Sequence, residues 1–193
     1  MKRHILLLAL LLVFAMNLCH AQQSIVVNFG GTTACTPGNG TLPATAPPAC
    51  NPKTSFIAES YTWSMQLAST PNGVGKPSLP AQVFLKGFDT STVELLTSML
   101  TGKPIPNMLI SVYRNGSNLL EGLAPEYQVL LSDVQVIQDS TVETVPGTST
   151  VETVGVLFQK MTLTFNTVNP NGSVAKTYSY TYDVAMNKFS NSN

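Results

Sequence analysis

The chain has two histidines in 193 residues, His4 and His20, and both lie in an N-terminal stretch that reads as a leader. Without that leader no imidazole remains, which excludes Ser-His-Asp and Cys-His nucleophiles, His-ligated zinc and phosphohistidine chemistry. Charge is scarce too, at 10% of residues. Losing Lys2 and Arg3 with the leader reduces the ten basic residues to eight against ten acidic ones, a net charge near −2. Nothing of that kind follows a phosphate backbone, so nucleic acid is not an expected partner. Tryptophan occurs once, at Trp63, and cysteine three times.

Residues 1–21 combine a basic start (Lys2, Arg3), an apolar run over 5–16, and Cys19-His20-Ala21, whose end fits a cleavage site. A secretory signal peptide is expected. The run of about a dozen apolar residues is short of the ~20 that a spanning helix needs, and Asn17 and Leu18 are larger than the small residues that usually precede an acylated cysteine. The mature chain is therefore expected outside the cytoplasm, periplasmic or extracellular, and free of the membrane after cleavage. Its remaining cysteines, Cys35 and Cys50, bracket a Pro/Gly/Thr-rich segment. Two thiols in an exported chain pair most simply with each other, and closing a loop of ~15 residues contributes roughly 3 kcal/mol. Their spacing is far from the CxxC of a redox pair.

The length suits one domain with appendages. The division reads as a signal peptide over 1–21, an extension over 22–53 that includes a short possible strand at 24–29, and a strand-rich domain over 54–190. Within the domain, 55–67 is rich in β-favouring residues and 69–76 breaks it with Pro71, Asn72, Gly73 and Gly75. A strand at 79–88 runs into Asp89-Thr90-Ser91 and one helix. Ser91 and Glu94 have the spacing of a capping box, which makes Glu94 a cap and not a catalytic acid. Val93, Leu96 and Leu100, flanked by Leu95 and Met99, give the helix a broad apolar face, and Gly102 and Pro104 end it. Strands follow at 108–113, 127–136, 160–165 and 177–184. In 127–136 strict alternation fails, so a bulge or burial on both faces is expected. Asn169-Pro170-Asn171-Gly172 joins the last two strands as a hairpin. The hexapeptide Ser140-Thr141-Val142-Glu143-Thr144-Val145 recurs from Ser149 to Val154 around Pro146-Gly147, which suggests a hairpin whose arms pair.

The chemistry-bearing candidates are few. Carboxylate pairs for hydrolysis could be drawn from Glu59, Asp89, Glu121, Glu126 and Asp133, but each is explained by a turn or a solvated surface. Trp63 and the stripe Tyr178, Tyr180, Tyr182 could hold a ligand such as a glycan in an exported binding module. Core packing for Trp63 and cross-strand packing for the tyrosines are the simpler readings. Three Asn-Gly-Ser/Thr sequences, at Asn39, Asn115 and Asn171, are explained by turns. No metal, cofactor or catalytic residue is expected.

One succession is specific. Glu59-Ser60-Tyr61-Thr62-Trp63 is followed by Phe88-Asp89 with its single helix, then Thr101-Gly102-Lys103-Pro104-Ile105 and a strand ending at Arg114. Tyr127-Gln128-Val129-Leu130-Leu131-Ser132-Asp133-Val134 comes next, and Glu152-Thr153-Val154 leads to Phe158-Gln159-Lys160-Met161. Over roughly 55–167 this order and its gaps resemble the Hcp family (haemolysin-coregulated protein), the inner tube of bacterial type VI secretion systems. The resemblance implies a mainly β fold, a compact β-barrel of two sheets with one flanking helix. It further implies homo-oligomeric rings, hexameric in the family, that can stack into a tube and carry effector proteins without catalysis. Ring contacts in the family involve the extended loop after the first strands, here 69–76 with Ser69, Asn72, Gly73 and Lys76. Tube-building members normally lack a signal peptide, and the Cys35–Cys50 segment and the strand at 176–184 are additions to the pattern.

Overall fold

The computed structural model describes residues 24–35, 50–70, 73–113, 125–142, 150–169 and 174–192. The leader, most of the loop between the cysteines, Asn72, the Asn115 and Asn171 turns, Glu121 and the Pro146-Gly147 turn lie outside these. Among the described residues, eleven strands and one helix are laid out as β1 Ser24–Asn28, β2 Ser55–Thr62, β3 Gln66–Thr70, β4 Gly73–Ser78, β5 Gln82–Gly87, α1 Ser91–Thr101, β6 Ile105–Tyr113, β7 Tyr127–Val142, β8 Val151–Leu157, β9 Lys160–Val168, β10 Val174–Asp183 and β11 Lys188–Ser192.

Nine strands form one antiparallel sheet in the order β11-β10-β9-β7-β6-β1-β2-β5-β8, and β8 pairs back onto β7. The last pairing closes β7-β6-β1-β2-β5-β8 into a six-stranded barrel, which removes the open edges those strands would otherwise present. The strands β9, β10 and β11 continue the sheet from β7 as a flap. The expected mainly β barrel with one helix is thus the observed architecture. Its two layers are opposite walls of one closed sheet.

Period-two alternation builds the core. Phe84 on β5, Met108, Ile110 and Val112 on β6, Val27 on β1, Phe56 and Ala58 on β2, and Val154 and Val156 on β8 all point inward and are buried. Phe84 packs edge-on to Phe56 with ring centres 5.9 Å apart and stacks on Tyr61 at 4.9 Å. The irregular strand expected at 127–136 is explained at Asp133, which adopts φ 53°. In the register it falls opposite Pro106, between Ile105↔Val134 and Asn107↔Ser132. Proline offers no ladder donor there, and the left-handed residue resets the alternation. Val129 and Leu131 before it and Val134 and Val136 after it are therefore all buried. The same residue marks the corner where β7 exchanges β9, paired through Ser132↔Lys160, for β8, paired from Gln135↔Leu157. The two copies of the repeated hexapeptide do pair, with Ser140↔Thr153, Thr141↔Glu152 and Val142↔Val151.

Several expectations are corrected. The strand at 24–29 is not part of an appendage: β1 is a barrel stave, paired with β2 on one side and β6 on the other. Its five residues cannot bury a face alone, and two non-local partners supply what local sequence did not signal. The break at 69–76 is not a loop. Gln66–Thr70 and Gly73–Ser78 pair as a separate two-stranded sheet, whose glycines and Pro77 are tolerated because neither strand lies inside a larger sheet. In α1 the buried face carries Ser91, Thr92 and Leu95, while Val93 and Leu100 are exposed. The helix lies on the barrel by its Thr92–Leu95–Met99 line, rotated from the face that apolar counting selected.

Candidate functional site

The largest concentration of polar side chains in the interior lies where α1 meets β5, β7 and β8. Alternation along β5 sends Gln82, Phe84 and Lys86 inward, and along β8 it sends Glu152, Val154 and Val156 inward. Lys86 and Glu152 are direct cross-strand partners. Both are fully buried, and Lys86 Nζ lies 2.7 Å from Glu152 Oε2. Lys86 also donates to Thr92 Oγ1 at 3.0 Å, and Thr92 Oγ1 donates to Glu152 Oε2 at 2.6 Å. Asp89 Oδ1 sits 3.1 Å from Lys86 Nζ at the partly exposed rim, and the ammonium stands 5.3 Å from the Phe56 ring centre. The ammonium's donors are thus met by two carboxylates, a hydroxyl and an aromatic face, which offsets the cost of burying a charge. Asp139 on β7 approaches Glu152 from the other side. Burial, then repulsion from Glu152, raises its carboxyl to about 6, with Lys86 pulling the other way.

The same cluster corrects the expected cap. Neither Ser91 nor Glu94 caps α1: Ser91 is buried in the first turn, and its hydroxyl donates to Asp89 Oδ1 at 2.5 Å. Thr90 already has helical angles, so the cap moves back to Asp89. Asp89 Oδ1 accepts the Ser91 amide at 2.8 Å, and Thr92 Oγ1 accepts the Asp89 amide at 3.3 Å. This is the reciprocal arrangement of a capping box, displaced two residues toward the N-terminus. Thr92 therefore serves both the cap and the buried ion pair.

Of the carboxylates considered for hydrolysis, Asp89 is drawn into this cluster; Glu59 and Asp133 are exposed elsewhere, and Glu126 lies at the start of β7. Asp139, Glu152 and Lys86 were missed, although a visible signal exists: a Lys and a Glu occupy inward positions of two alternating strands. Lys86 and Glu152 are sealed from solvent, so what they can do is hold β5, β8 and α1 together.

The other singled-out residues are dispersed. Cys35 and Cys50 are joined in a disulfide with Cα atoms 4.9 Å apart, covering Val26 and Tyr113 on the barrel's outer side. Trp63 lies just past β2, is 37% exposed and takes no place in the core, contrary to the packing expected for it. Tyr182 is buried and donates to Asn187 Oδ1 at 2.7 Å, Tyr180 stacks on Phe189, and Tyr178 lies under Lys176. The tyrosine stripe is thus occupied with its own neighbours. Ser69, Gly73 and Lys76 fall on the arms of the β3–β4 hairpin. A cleft of roughly 160 Å³ between the end of α1 and β7, lined by Ser98, Lys103 and Gln135 among others, is smaller than the ~300–1,000 Å³ of ordinary ligand sites. No group of three or more metal-ligating side chains occurs among the described residues.

Residues 53–165 match the family model described as "Type VI secretion system effector, Hcp". No curated protein matches the chain. Among solved structures, the fold is similar to one described as a type six secretion system protein, at 13% identity and a TM-score of 0.66, covering 88% of this chain and all of that one. It is also similar to Hcp1 from Salmonella typhimurium, at 18% identity and 0.60, over 89% of this chain and all of the other. A type VI secretion system effector from Yersinia pestis matches at 19% identity and 0.53, over 83% and 99% of the two chains.

Proposed function

Because the chain belongs to the Hcp family, with 53–165 matched by the family model, we propose that it is a non-catalytic structural protein of the type VI secretion tube type. Copies associate into a ring, hexameric as the family resemblance implies, and rings stack into a conduit for effector proteins. The observation that carries this reading is the family match together with a closed barrel to which a separate hairpin is attached. Barrel closure leaves β5, β8, β1 and β2 no free ladder edge for a neighbour, whereas β3 and β4 pair solely with each other among the described residues. We assign the lateral contact to that hairpin, whose arms carry Ser69, Gly73 and Lys76. Met65 and Leu67 at its base are large exposed apolar groups of the kind that associate.

Residues 1–21 act in this reading as a signal peptide; within 22–53, β1 is a stave of the barrel, and the Cys35–Cys50 disulfide staples the segment that leads from it to the family domain over 54–190. The disulfide suits an oxidising compartment, so the ring belongs outside the cytoplasm. The test of export is fractionation of cells producing the full chain: a mature form beginning near Gln22 in the periplasm or medium is expected, and an uncleaved cytoplasmic product opposes it. The test of assembly closes the Discussion.

A further inference from the structure

The root of the β7–β8 hairpin holds more carboxylate than its one buried cation can match. Lys86 from β5 stands against Glu152 from β8 and Asp89 from the turn before α1, and Asp139 from β7 faces Glu152. α1 contributes the Thr92 hydroxyl, already engaged by Lys86, Glu152 and the Asp89 amide. A bulge places Asp139 there. The β7–β8 register shifts between Val136 and Gln138, so Asp139 pairs with the inward Val154. Opposite the bulge is Gly155, where an added Cβ would sit 3.0 Å from the Gln138 Cβ. Glu152 uses Oε2 on Lys86 and Thr92, and its Oε1 is left buried without a donor, as is Asp139 Oδ2. Carboxylate oxygens can only accept. Two of them meeting in the interior are satisfied by one proton held between them.

We propose that the Asp139–Glu152 pair, joined by a shared proton, is a latch that fastens the β7–β8 hairpin to β5 and α1 in mild acid and loosens when the proton leaves. Burial, then the neighbouring Glu152 carboxylate, raises the Asp139 carboxyl to about 6, against 3.8 for an ordinary aspartate, while Lys86 limits the rise. Between those two pH values the folded protein binds more protons than the unfolded chain, so this contribution to stability falls as pH rises through that window. Near neutrality Asp139 is ionised, and its half-buried carboxylate repels the buried Glu152 carboxylate across the two strands.

The experiment is amide hydrogen exchange on the mature protein, with carboxyl ¹³C NMR of the same sample. In the wild type, the Thr141 and Thr153 amides, corrected for intrinsic rates, exchange about tenfold faster at pH 7 than at pH 5, while the Ile110 amide, remote from the latch, changes less. Asp139→Asn supplies a permanent donor to Glu152, so its hairpin amides lose that pH dependence. The Asp139 carboxyl signal of the wild type titrates near pH 6. The latch is overturned if that signal titrates below about 4.5, or if Asp139→Asn keeps the wild-type pH profile. The NMR titration uses the wild type alone, so a variant that fails to fold leaves the test intact.

Discussion

At the scale of single residues, two charged side chains in the core decide more than any surface group. Lys86 and Glu152 are sealed at the barrel wall, each the other's partner at 2.7 Å. Removing one leaves the other buried without its closest charge partner, so Lys86→Met or Glu152→Gln alone is expected to cost on the order of 3–5 kcal/mol in urea unfolding. The double replacement Lys86→Met/Glu152→Leu recovers most of that loss, since an apolar pair of similar volume needs no partner. Additive losses in the double-mutant cycle would show that the two residues act independently. The helix start gives a contrast of the same kind. Asp89→Ala removes the cap and one contact of Lys86 and costs about 1 kcal/mol or more, whereas Glu94→Ala falls within about 0.5 kcal/mol. The sequence motif at Ser91 and Glu94 was real as a pattern, yet Asp89 and Thr92 make the reciprocal bonds two residues earlier. Thr92 is also held by Lys86 and Glu152, residues distant in sequence, and no local motif records that.

At the scale of elements, alternation carried most of the information. Strand β5 shows the period-two burial that a single core-facing side imposes, whereas β6 is buried on both faces and β10 packs against its neighbours in the flap. An irregularity within 127–136 could be read from the failed alternation, though not its position at Asp133 nor the corner there where β7 changes partner. The short β1 and the β3–β4 hairpin were not legible, because a five-residue stave and a Gly-rich arm owe their pairing to strands elsewhere in the chain. The rotation of α1 was hidden for a related reason: its buried line includes Ser91 and Thr92, polar residues turned inward by Asp89 and the ion pair. Since β3 and β4 pair only with each other among the described residues, replacing 66–78 with a short Gly-Ser link is expected to leave the barrel folded. Thermal unfolding should shift by a few degrees, while light scattering shows loss of assembly. A shortened protein that still assembles would remove the hairpin from the interface. The disulfide acts at this scale as well. Replacing Cys35 and Cys50 by serine is expected to cost roughly 2–4 kcal/mol, read by denaturant unfolding, through the freed loop and the uncovered Val26–Tyr113 patch.

At the scale of the whole molecule, the barrel is closed, the flap β9–β11 extends from β7, and the hairpin and helix sit on its outside. That division separates a rigid wall from the parts that can meet another copy. The family was legible in the sequence because turns, helix and strand ends occur in a fixed order along 55–167, and the structure brings that order into the Hcp fold. The ring itself was never a property of one chain's residues, since both sides of its contact must be present to define it. The direct measurement is therefore the assembly of a protein of residues 22–193 at micromolar concentration. Light-scattering chromatography combined with negative-stain imaging is expected to give a homo-oligomer several times the monomer mass and annular particles with an open centre. A monodisperse monomer under oxidising conditions, with no rings on the grid, would contradict the account.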